Sequence, residues 1–482
     1  MRCDLLFETA EGGPGADYLP EEAEDAPSAH IPAAMRRDAV DVLPEISERE
    51  VVRHFNRMAA RNFGLDSGPY LLGGRTMRHI PRVGDKIARW EAFQAIHPLQ
   101  DPASLSAARH IYGELVAWLK ALVGMDALTL EAAGDGQAEL LALGLIASHV
   151  AEEGSGRRTL LVLDDSYFSA DGLAEGLGFV VERVPLGPDY RPALPELAGR
   201  RDIAALILST PNCFGRWQEH FDALAAAVHE AGGLVVNQAR NIAGFLTYWN
   251  PGEAGVDVII FPLNGVFGVP HYGGGPAVTA VGARKPLGGL WPEGDGGLEW
   301  DALRCFGPHW PIVLRAYVFL RLLGWEGLRR ATEDAVIAAN YLQERMRVNM
   351  AICGEGRCLN QFAATIPEFL RETGIRSLDI ARRLLDAGIH PPGVGELPVL
   401  NDCLSVEPTE AATYRVLNEI AELVGQTTIE VARNFSLVRG APHTTPIAQP
   451  RVADAVEEMI TVYVPGVLHT EDTGCGCPIC AR

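Results

Sequence analysis

The chain has 482 residues, of which 48% are hydrophobic and 21% charged, a composition typical of globular proteins large enough for more than one domain. Its formal net charge of −21 argues against nucleic acid or an anionic membrane as the partner, because both repel an acidic surface. The sequence contains neither a run of eighteen apolar residues nor a basic-then-apolar leader, so we expect a cytoplasmic protein.

The first 300 residues change character twice. Residues 1–44 are rich in proline and acidic residues and predict an extended arm with little core of its own. Residues 45–62 have helical apolar spacing, and Ser47 followed by Glu50 predicts a capping box at the start of that helix. From about residue 105, helical segments alternate with short apolar runs, at 159–163, 179–185, 204–208, 234–237 and 257–261. This alternation predicts a mainly parallel α/β sheet, in which ligands sit beyond the carboxyl ends of the strands.

Helical segments dominate after residue 301 and lead into a smaller α+β region, in which residues 410–424 predict a helix. The predicted organisation is therefore an N-terminal arm and helical segment over 1–104 and a large α/β domain over 105–300. A small C-terminal α+β domain over 301–468 and a cysteine-rich tail over 469–482 complete it.

An apolar strand followed by a glycine turn forms the segment 256–276, which reads VDVIIFPLNGVFGVPHYGGGP. It resembles the cofactor-lysine loop of the glycine cleavage system P-protein, in its C-terminal-type subunit 2 that binds pyridoxal phosphate (PLP). That loop reads roughly Asn-Leu-His-Lys-Thr-Phe-Ser-Thr-Pro-His before four glycines and a proline. Further segments parallel the family in order, from MDALTLEAAGDGQAEL to APHTTPIAQPRV. The resemblance implies PLP fold type I, with a large cofactor domain and a smaller C-terminal domain.

The Schiff-base lysine of that loop is replaced. Asn264, Gly265 and Val266 stand where the family has His-Lys-Thr. PLP chemistry needs an amine to hold the aldehyde as an imine and to move protons, and glycine has none. The chain contains only Lys86, Lys120 and Lys285, none of them at this place. We therefore expect that PLP is not covalently bound.

A second loss concerns the partner of the pyridine nitrogen. The run Asn237–Asn241 aligns with the family's Tyr-Asp-Gly-Ala-Asn, whose aspartate pairs with the protonated ring. Gln238 takes the place of that aspartate and cannot stabilise a pyridinium as a carboxylate does. Arg75 stands where the family has a cysteine near the active site. The resemblance assigns the rest of a vestigial cofactor pocket to Gly134, Gly136, Gln137, Asn241, His271 and Gly273.

Phe168 and Asp135 each allow two interpretations. Residues 165–170 align with the family's Asp-Ser-Ala-His-Gly-Thr, so Phe168 replaces the histidine that stacks on the pyridine ring. Phe168 either stacks in its place or packs in a filled pocket. The turn 134–139 corresponds to the glycine-rich phosphate cradle, into which Asp135 brings a negative charge. Either the amides there still bind phosphate, or Asp135 caps a helix.

Three cysteines lie close together near the end of the chain. Cys475, Cys477 and Cys480 form a Cys-x-Cys-x-x-Cys spacing, which, with His469, can complete a tetrahedral set for zinc or another soft metal. A redox or sulfur-handling tail and incidental cysteines are the alternatives.

The sequence thus predicts a homologue of glycine dehydrogenase (decarboxylating) subunit 2 that has lost PLP catalysis. It would be a pseudoenzyme subunit or a protein repurposed in amino-acid metabolism or biosynthesis. The alternatives are a working glycine decarboxylase component of the glycine cleavage system, and a metal- or sulfur-handling protein acting through its tail. The resemblance implies a hetero-oligomer with an N-terminal-type, subunit 1-like P-protein, or a homodimer. A small amino acid or peptide remains a candidate ligand.

Overall fold

The structure, a computed structural model, describes residues 5–6, 31–35, 46–72, 80–97, 100–194, 196–270, 276–289, 307–395, 397, 400, 402–445 and 449. The chain divides into two units, Met1–Gly64 with Pro442–Arg482, and Leu65–Ala441. In the first unit, helix α1 (Glu48–Ala59) begins with the predicted capping box. The Ser47 hydroxyl accepts from the Glu50 amide, and the Glu50 carboxylate accepts from the Ser47 amide, both at 3.4 Å. This prediction is confirmed.

A mixed sheet is the centre of the second unit. Its strands within the described residues are β1 (Ala127–Ala132), β2 (Thr159–Leu163), β3 (Val180–Val184), β4 (Ile203–Leu208), β5 (Leu234–Gln238), β6 (Val258–Pro262) and β7 (Thr279–Ala283), in the order β1-β7-β6-β5-β4-β2-β3. The strands β3, β2, β4, β5 and β6 are parallel, and β7 is antiparallel to both its neighbours. The central strands read as continuous apolar runs because helices cover both faces.

Two apolar layers enclose this sheet. The helices around it are α2 (Arg82–Ala88), α3 (Glu91–Gln94), α4 (Ser106–Val123), α5 (Asp135–Glu153), α6 (Asp171–Gly176) and α7 (Phe221–Glu230). Apolar side chains of α4 and α7 pack into one layer, and those of α5 and α6 pack into the other. Short 3₁₀ turns lie at Ala33–Met35, Pro102–Leu105, Ile242–Gly244 and Leu287–Gly289. Because β2 to β6 run in the same direction, each connection between consecutive strands of this set returns the chain to the same edge of the sheet.

A second, antiparallel sheet follows the long helix α8 (Trp310–Met346). Its strands are β8 (Ala351–Ile352), β9 (Phe362–Thr365), β10 (Gly393–Val394) and β11 (Leu404–Val406), in the order β10-β11-β9-β8. The helices of this region are α9 (Glu368–Arg371), α10 (Ser377–Asp386), α11 (Tyr414–Arg433) and α12 (Phe435–Arg439). The small α+β region expected from the sequence is therefore present, although the domain boundaries themselves stay a prediction.

The helix expected over 410–424 has different bounds. Helix α11 starts later, after Thr413, whose hydroxyl accepts from the Val416 amide, and it continues nine residues past Val424. Gly425 does not end it. A Cβ at this glycine would lie 2.7 Å from Asn349 Nδ2, so a larger residue there would require the Asn349 side chain to move.

The helix α8 belongs to both apolar cores. Its first half, including Ile312 and Phe319, packs with the large sheet, and its last turns, including Leu342 and Met346, pack under the small sheet. Gly324, with φ 59° and ψ −171°, interrupts it between the two halves. Among the helices that the structure describes, none has the length and apolar composition needed to cross a bilayer.

One ion pair ties α7 to the sheet and predicts a pH-dependent contribution to stability. His229 Nε2 lies 2.7 Å from Asp257 Oδ2, which also accepts from the Val235 amide at 2.8 Å. This hydrogen bond raises the pKa of His229 above 6.5. Because the raised pKa belongs to the folded state, the contribution is fully present below pH 6.5 and is lost as pH rises through the raised value.

We therefore expect His229→Gln to lower the melting temperature most at pH 5.5–6.5 and least above pH 8.5, in thermal scans at constant ionic strength. The matched control is His110→Gln, a surface substitution on α4 at a side chain that is 74% exposed. A His229→Gln effect that does not change with pH would contradict the assignment.

Candidate functional site

The carboxyl edge of the large sheet brings together most of the described residues that the sequence singled out. The turn after β1 leads into α5, Tyr167 and Phe168 follow β2, and Asn212 follows β4. Gln238 ends β5, Gly265 follows β6, and Thr279 begins the antiparallel β7. Parallel strands place their carboxyl ends at one edge, so these residues are neighbours despite their distance in sequence.

An ion pair lies at the start of α5. Arg240 Nη2 is 2.7 Å from Asp135 Oδ2, and the Thr279 hydroxyl donates to Asp135 Oδ1 at 2.9 Å. On its other side, the Arg240 guanidinium carbon is 5.0 Å from the centre of the Tyr167 ring. The Tyr167 hydroxyl in turn accepts from Gln361 Nε2 at 2.7 Å. Tyr167, Arg240 and Asp135 therefore form a continuous row along the edge.

The Gln238 side chain is hydrogen-bonded to another side chain of the protein. Its Nε2 donates to Glu139 Oε1 at 2.5 Å, and both side chains are almost fully buried. Burial raises the pKa of the Glu139 carboxyl to about 7, although the Gln238 hydrogen bond acts in the opposite direction. Within the described residues, Gln238 Oε1 has no hydrogen-bond partner. The amide thus satisfies a buried acid on one side and leaves a carbonyl acceptor on the other.

Gly265, which aligns with the family's lysine by sequence resemblance, lies in a tight turn. Gly265 has φ 74°, and its amide donates to the Val269 carbonyl at 2.9 Å. The neighbouring Asn264 accepts from the Val278 amide at 3.3 Å. A left-handed φ favours glycine over any residue with a Cβ. The turn is therefore adapted to glycine as well as lacking an amine.

Phe168 resolves one of the open alternatives in favour of packing. Its side chain is 4% exposed and belongs to the apolar layer shared by the sheet and α5. Asp165, two residues after β2, accepts from Asn212 Nδ2 at 2.7 Å. Burial raises the pKa of Asp165 to about 6.

The capping role considered for Asp135 was wrong. The N-cap of α5 is Gly134, without a side-chain hydrogen bond, and Asp135 is the first helical residue. Its side chain instead pairs with Arg240 because the pair joins two opposite charges in a partly buried place. In the same turn Gln137 Oε1 accepts from the Ala133 amide at 2.8 Å, and a Cβ at Gly136 would meet no atom within 4 Å.

The remaining predicted site residues have different outcomes. Asn241 is buried at the edge, and its Nδ2 has no hydrogen-bond partner in the described part of the chain. The positions outside the described residues are Arg75, His271, Gly273, His469, Cys475, Cys477 and Cys480. Among the residues that are described, no group of three or more His, Cys, Asp or Glu side chains could hold a metal ion. The described cysteines Cys213, Cys353, Cys358 and Cys403 are all buried.

Sequence reasoning missed two members of the row, Tyr167 and Arg240. Each is large, and each stands where the aligned family motif has alanine, in Asp-Ser-Ala-His-Gly-Thr and in Tyr-Asp-Gly-Ala-Asn. A change from a small to a large side chain beside a ligand position is the signal that could have identified them.

Comparison with known proteins supplies the family. Residues 331–439 match the family model described as glycine dehydrogenase, C-terminal domain. A probable glycine dehydrogenase (decarboxylating) subunit 2 from Desulforamulus reducens is 34% identical over 469 residues, covering 93% of this chain and 96% of the relative. The chain belongs to the glycine dehydrogenase (decarboxylating) subunit 2 family. A subunit 2 from Halalkalibacterium halodurans is likewise 34% identical, over 95% of this chain and 98% of its own length.

Solved structures agree on the fold of this subunit 2 homologue. The inhibitor-bound glycine decarboxylase (P-protein) of the glycine cleavage system has a TM-score of 0.66 at 22% identity, over 83% of this chain and 93% of that one. A sphingosine-1-phosphate lyase from Burkholderia pseudomallei has a TM-score of 0.61 at 16% identity, over 82% of this chain and 94% of that one. The expected PLP fold type I is confirmed.

The described residues of this subunit 2 homologue do not fit PLP, the cofactor expected for the family. Gly265 offers no amine, and Gln238 offers an amide where a pyridinium needs a carboxylate. At the start of α5, where a phosphate would bind, the chain already holds the Asp135 carboxylate. The Asp135 carboxylate would repel the phosphate group of PLP, because like charges repel. Gly265, Gln238 and Asp135 therefore each argue against PLP binding for a separate physical reason.

The Glu139 carboxyl of this family member predicts a second pH effect. Its pKa rises on folding from 4.5 to about 7, which corresponds to about 3 kcal/mol. The folded state then holds the proton more tightly, so this site costs stability as pH rises from 4.5 to about 7.

Glu139→Gln keeps an acceptor for Gln238 and removes the charge. We expect its free energy of unfolding to match the wild type near pH 5 and to exceed it by about 2–3 kcal/mol at pH 8, measured by urea unfolding. Glu152→Gln, at an exposed position on the same helix, is the control and should leave the pH dependence unchanged. A constant difference between Glu139→Gln and wild type across this range would refute the assignment.

Proposed function

We propose that this chain is a non-catalytic member of the subunit 2 family, which forms no internal imine with PLP and serves as a structural subunit. The observation that carries the proposal is Gly265, which occupies the lysine position in a left-handed turn with φ 74°. The turn would have to change its backbone to accept a lysine without strain.

The positions of the other lysines support this proposal. Lys285 follows the antiparallel β7, and its amide bonds to Asp126, just before β1. Lys120 lies in the last turn of α4, and its carbonyl accepts from the Met125 amide at the same end of β1. Both therefore lie at the amino edge of the sheet, opposite the carboxyl edge. Lys86 is exposed on α2.

Re-pairing of polar groups at the carboxyl edge supports it further. Gln238 is bonded to Glu139, and Arg240 to Asp135, so two positions that would face a cofactor have partners within the chain. Such contacts stabilise the fold without a ligand, which suits a subunit retained for assembly.

A partner subunit follows from the relatives. They are named as subunit 2 of a glycine dehydrogenase, and we propose that this chain likewise assembles with a subunit 1-like protein. Its place in the complex would then be architectural, with any glycine chemistry performed by another chain.

The first test is an absorbance spectrum with added PLP, before and after borohydride. We expect no internal-aldimine band and no stoichiometric reduced adduct, because Gly265 supplies no amine. One reduced pyridoxyl group per chain, assigned to a single lysine by mass spectrometry, would overturn the proposal.

A lysine-free variant makes this test sharper, since the chain has only three lysines. Lys86→Arg/Lys120→Arg/Lys285→Arg keeps every positive charge and removes every side-chain amine. We expect it to match the wild type in melting temperature, in its lack of response to PLP and in co-purification with a co-expressed subunit 1 homologue. Wild-type stabilisation by PLP that disappears in this variant would show that a lysine is used after all.

A further inference from the structure

The Asp135 carboxylate is bound by Arg240 and Thr279 in the way that a protein binds an external anion. Asp135 is held by Arg240 Nη2 at 2.7 Å and by the Thr279 hydroxyl at 2.9 Å. The Asp135 side chain is 31% exposed and that of Arg240 is 17% exposed. In such a partly buried place, solvent screens the attraction less than it does at the surface.

The carboxylate of this pair lies where an external anion would be attracted. Helix α5 has 19 residues, and its N-cap Gly134 contributes no side chain. Asp135 is the first helical residue, so its charge lies at the positive end of the helix dipole. The same helix end, a guanidinium and a hydroxyl are the groups that bind phosphate in proteins. Here they converge on an anion that belongs to the chain.

Arg240 is held in this orientation from its other side. Its guanidinium carbon is 5.0 Å from the Tyr167 ring centre, and Tyr167 is itself fixed by Gln361. A cation over an aromatic face gains electrostatic stabilisation, most of all where water is excluded. Arg240 is therefore positioned by two independent contacts.

We infer that the Asp135–Arg240 pair is an internal ligand: the Asp135 carboxylate occupies a latent phosphate site formed by Arg240, Thr279 and the start of α5. The inference rests on the proposed function, because it explains what replaces the cofactor's anionic group in a subunit that does not use it. The ligand class excluded by the pair, and admitted when the pair is broken, is a small phosphate or phosphate monoester.

Removing the negative charge of Asp135 should increase the affinity of this site for phosphate, which gives a direct test. In Asp135→Asn the side chain keeps its shape and its acceptor for Thr279, but Arg240 loses its counter-ion. We expect the variant to bind inorganic phosphate and pyridoxine 5′-phosphate at least tenfold more tightly than the wild type, measured by calorimetry at constant ionic strength. Adding Arg240→Gln to Asp135→Asn should weaken that binding by at least tenfold.

A matched control exists elsewhere in the chain. Asp171 is also the first residue of a helix and also pairs with an arginine, with Arg183 Nη2 at 2.6 Å. Asp171→Asn removes the same charge at the start of the short helix α6, where Asp164 remains 3.9 Å from Arg183, and we expect no gain in phosphate binding. Asp135→Ser repeats the main test with a shorter side chain in case Asp135→Asn is poorly folded.

Each remaining outcome would overturn the inference: wild-type affinity for phosphate equal to that of Asp135→Asn, no gain in either Asp135 variant, an equal gain in Asp171→Asn, or no effect of Arg240→Gln. Neither probe carries an aldehyde, so neither can form an imine. A failure here is therefore distinct from failure of the proposed function, which depends on reducible PLP adducts.

Discussion

The common direction of neighbouring strands constrains everything at the candidate site. Because buried backbone groups must be hydrogen-bonded, the ladders fix where each strand ends, and the residues after β2, β5 and β6 cannot leave the carboxyl edge. A side chain that changes there stays beside its old neighbours and has to interact with them. Gln238 does so with Glu139, and Arg240 does so with Asp135. The arrangement at the edge follows from where the strands end and from which side chains stand there.

Within the described residues, some buried polar atoms at the carboxyl edge lack a hydrogen-bond partner, and each of them costs stability. Gln238 Oε1 and Asn241 Nδ2 are buried without a partner within the described residues. A buried polar atom left in this way costs about 1–3 kcal/mol. Such a cost persists only where the rest of the scaffold is stable enough to carry it. Ordered water bound to either atom would remove part of that cost.

The sequence was sufficient for the fold and for half of the site. Apolar runs located β2, β4 and β5 to within a residue or so, because strands buried on both faces have few polar positions to interrupt the pattern. The motif placed Gly265 soon after β6, but the left-handed turn at this residue was not predicted. The partner of Asp135 could not be predicted, because Arg240 lies 105 residues away and local patterns carry no information on such pairs. The place of Phe168 also depended on tertiary packing, since an aromatic ring suits a core and a ligand pocket equally well.

The helix α8 has a consequence for how the second unit loses its structure. Its first half completes the core of the large sheet and its last turns complete that of the small one. Leu328, which follows the non-helical Gly324, still packs in the core of the large sheet, so the segment after this break contributes to both cores. Two sheets with separate strand orders should therefore behave as a single cooperative unit, and a weak small sheet would lower the kinetic barrier that protects the large one from unfolding.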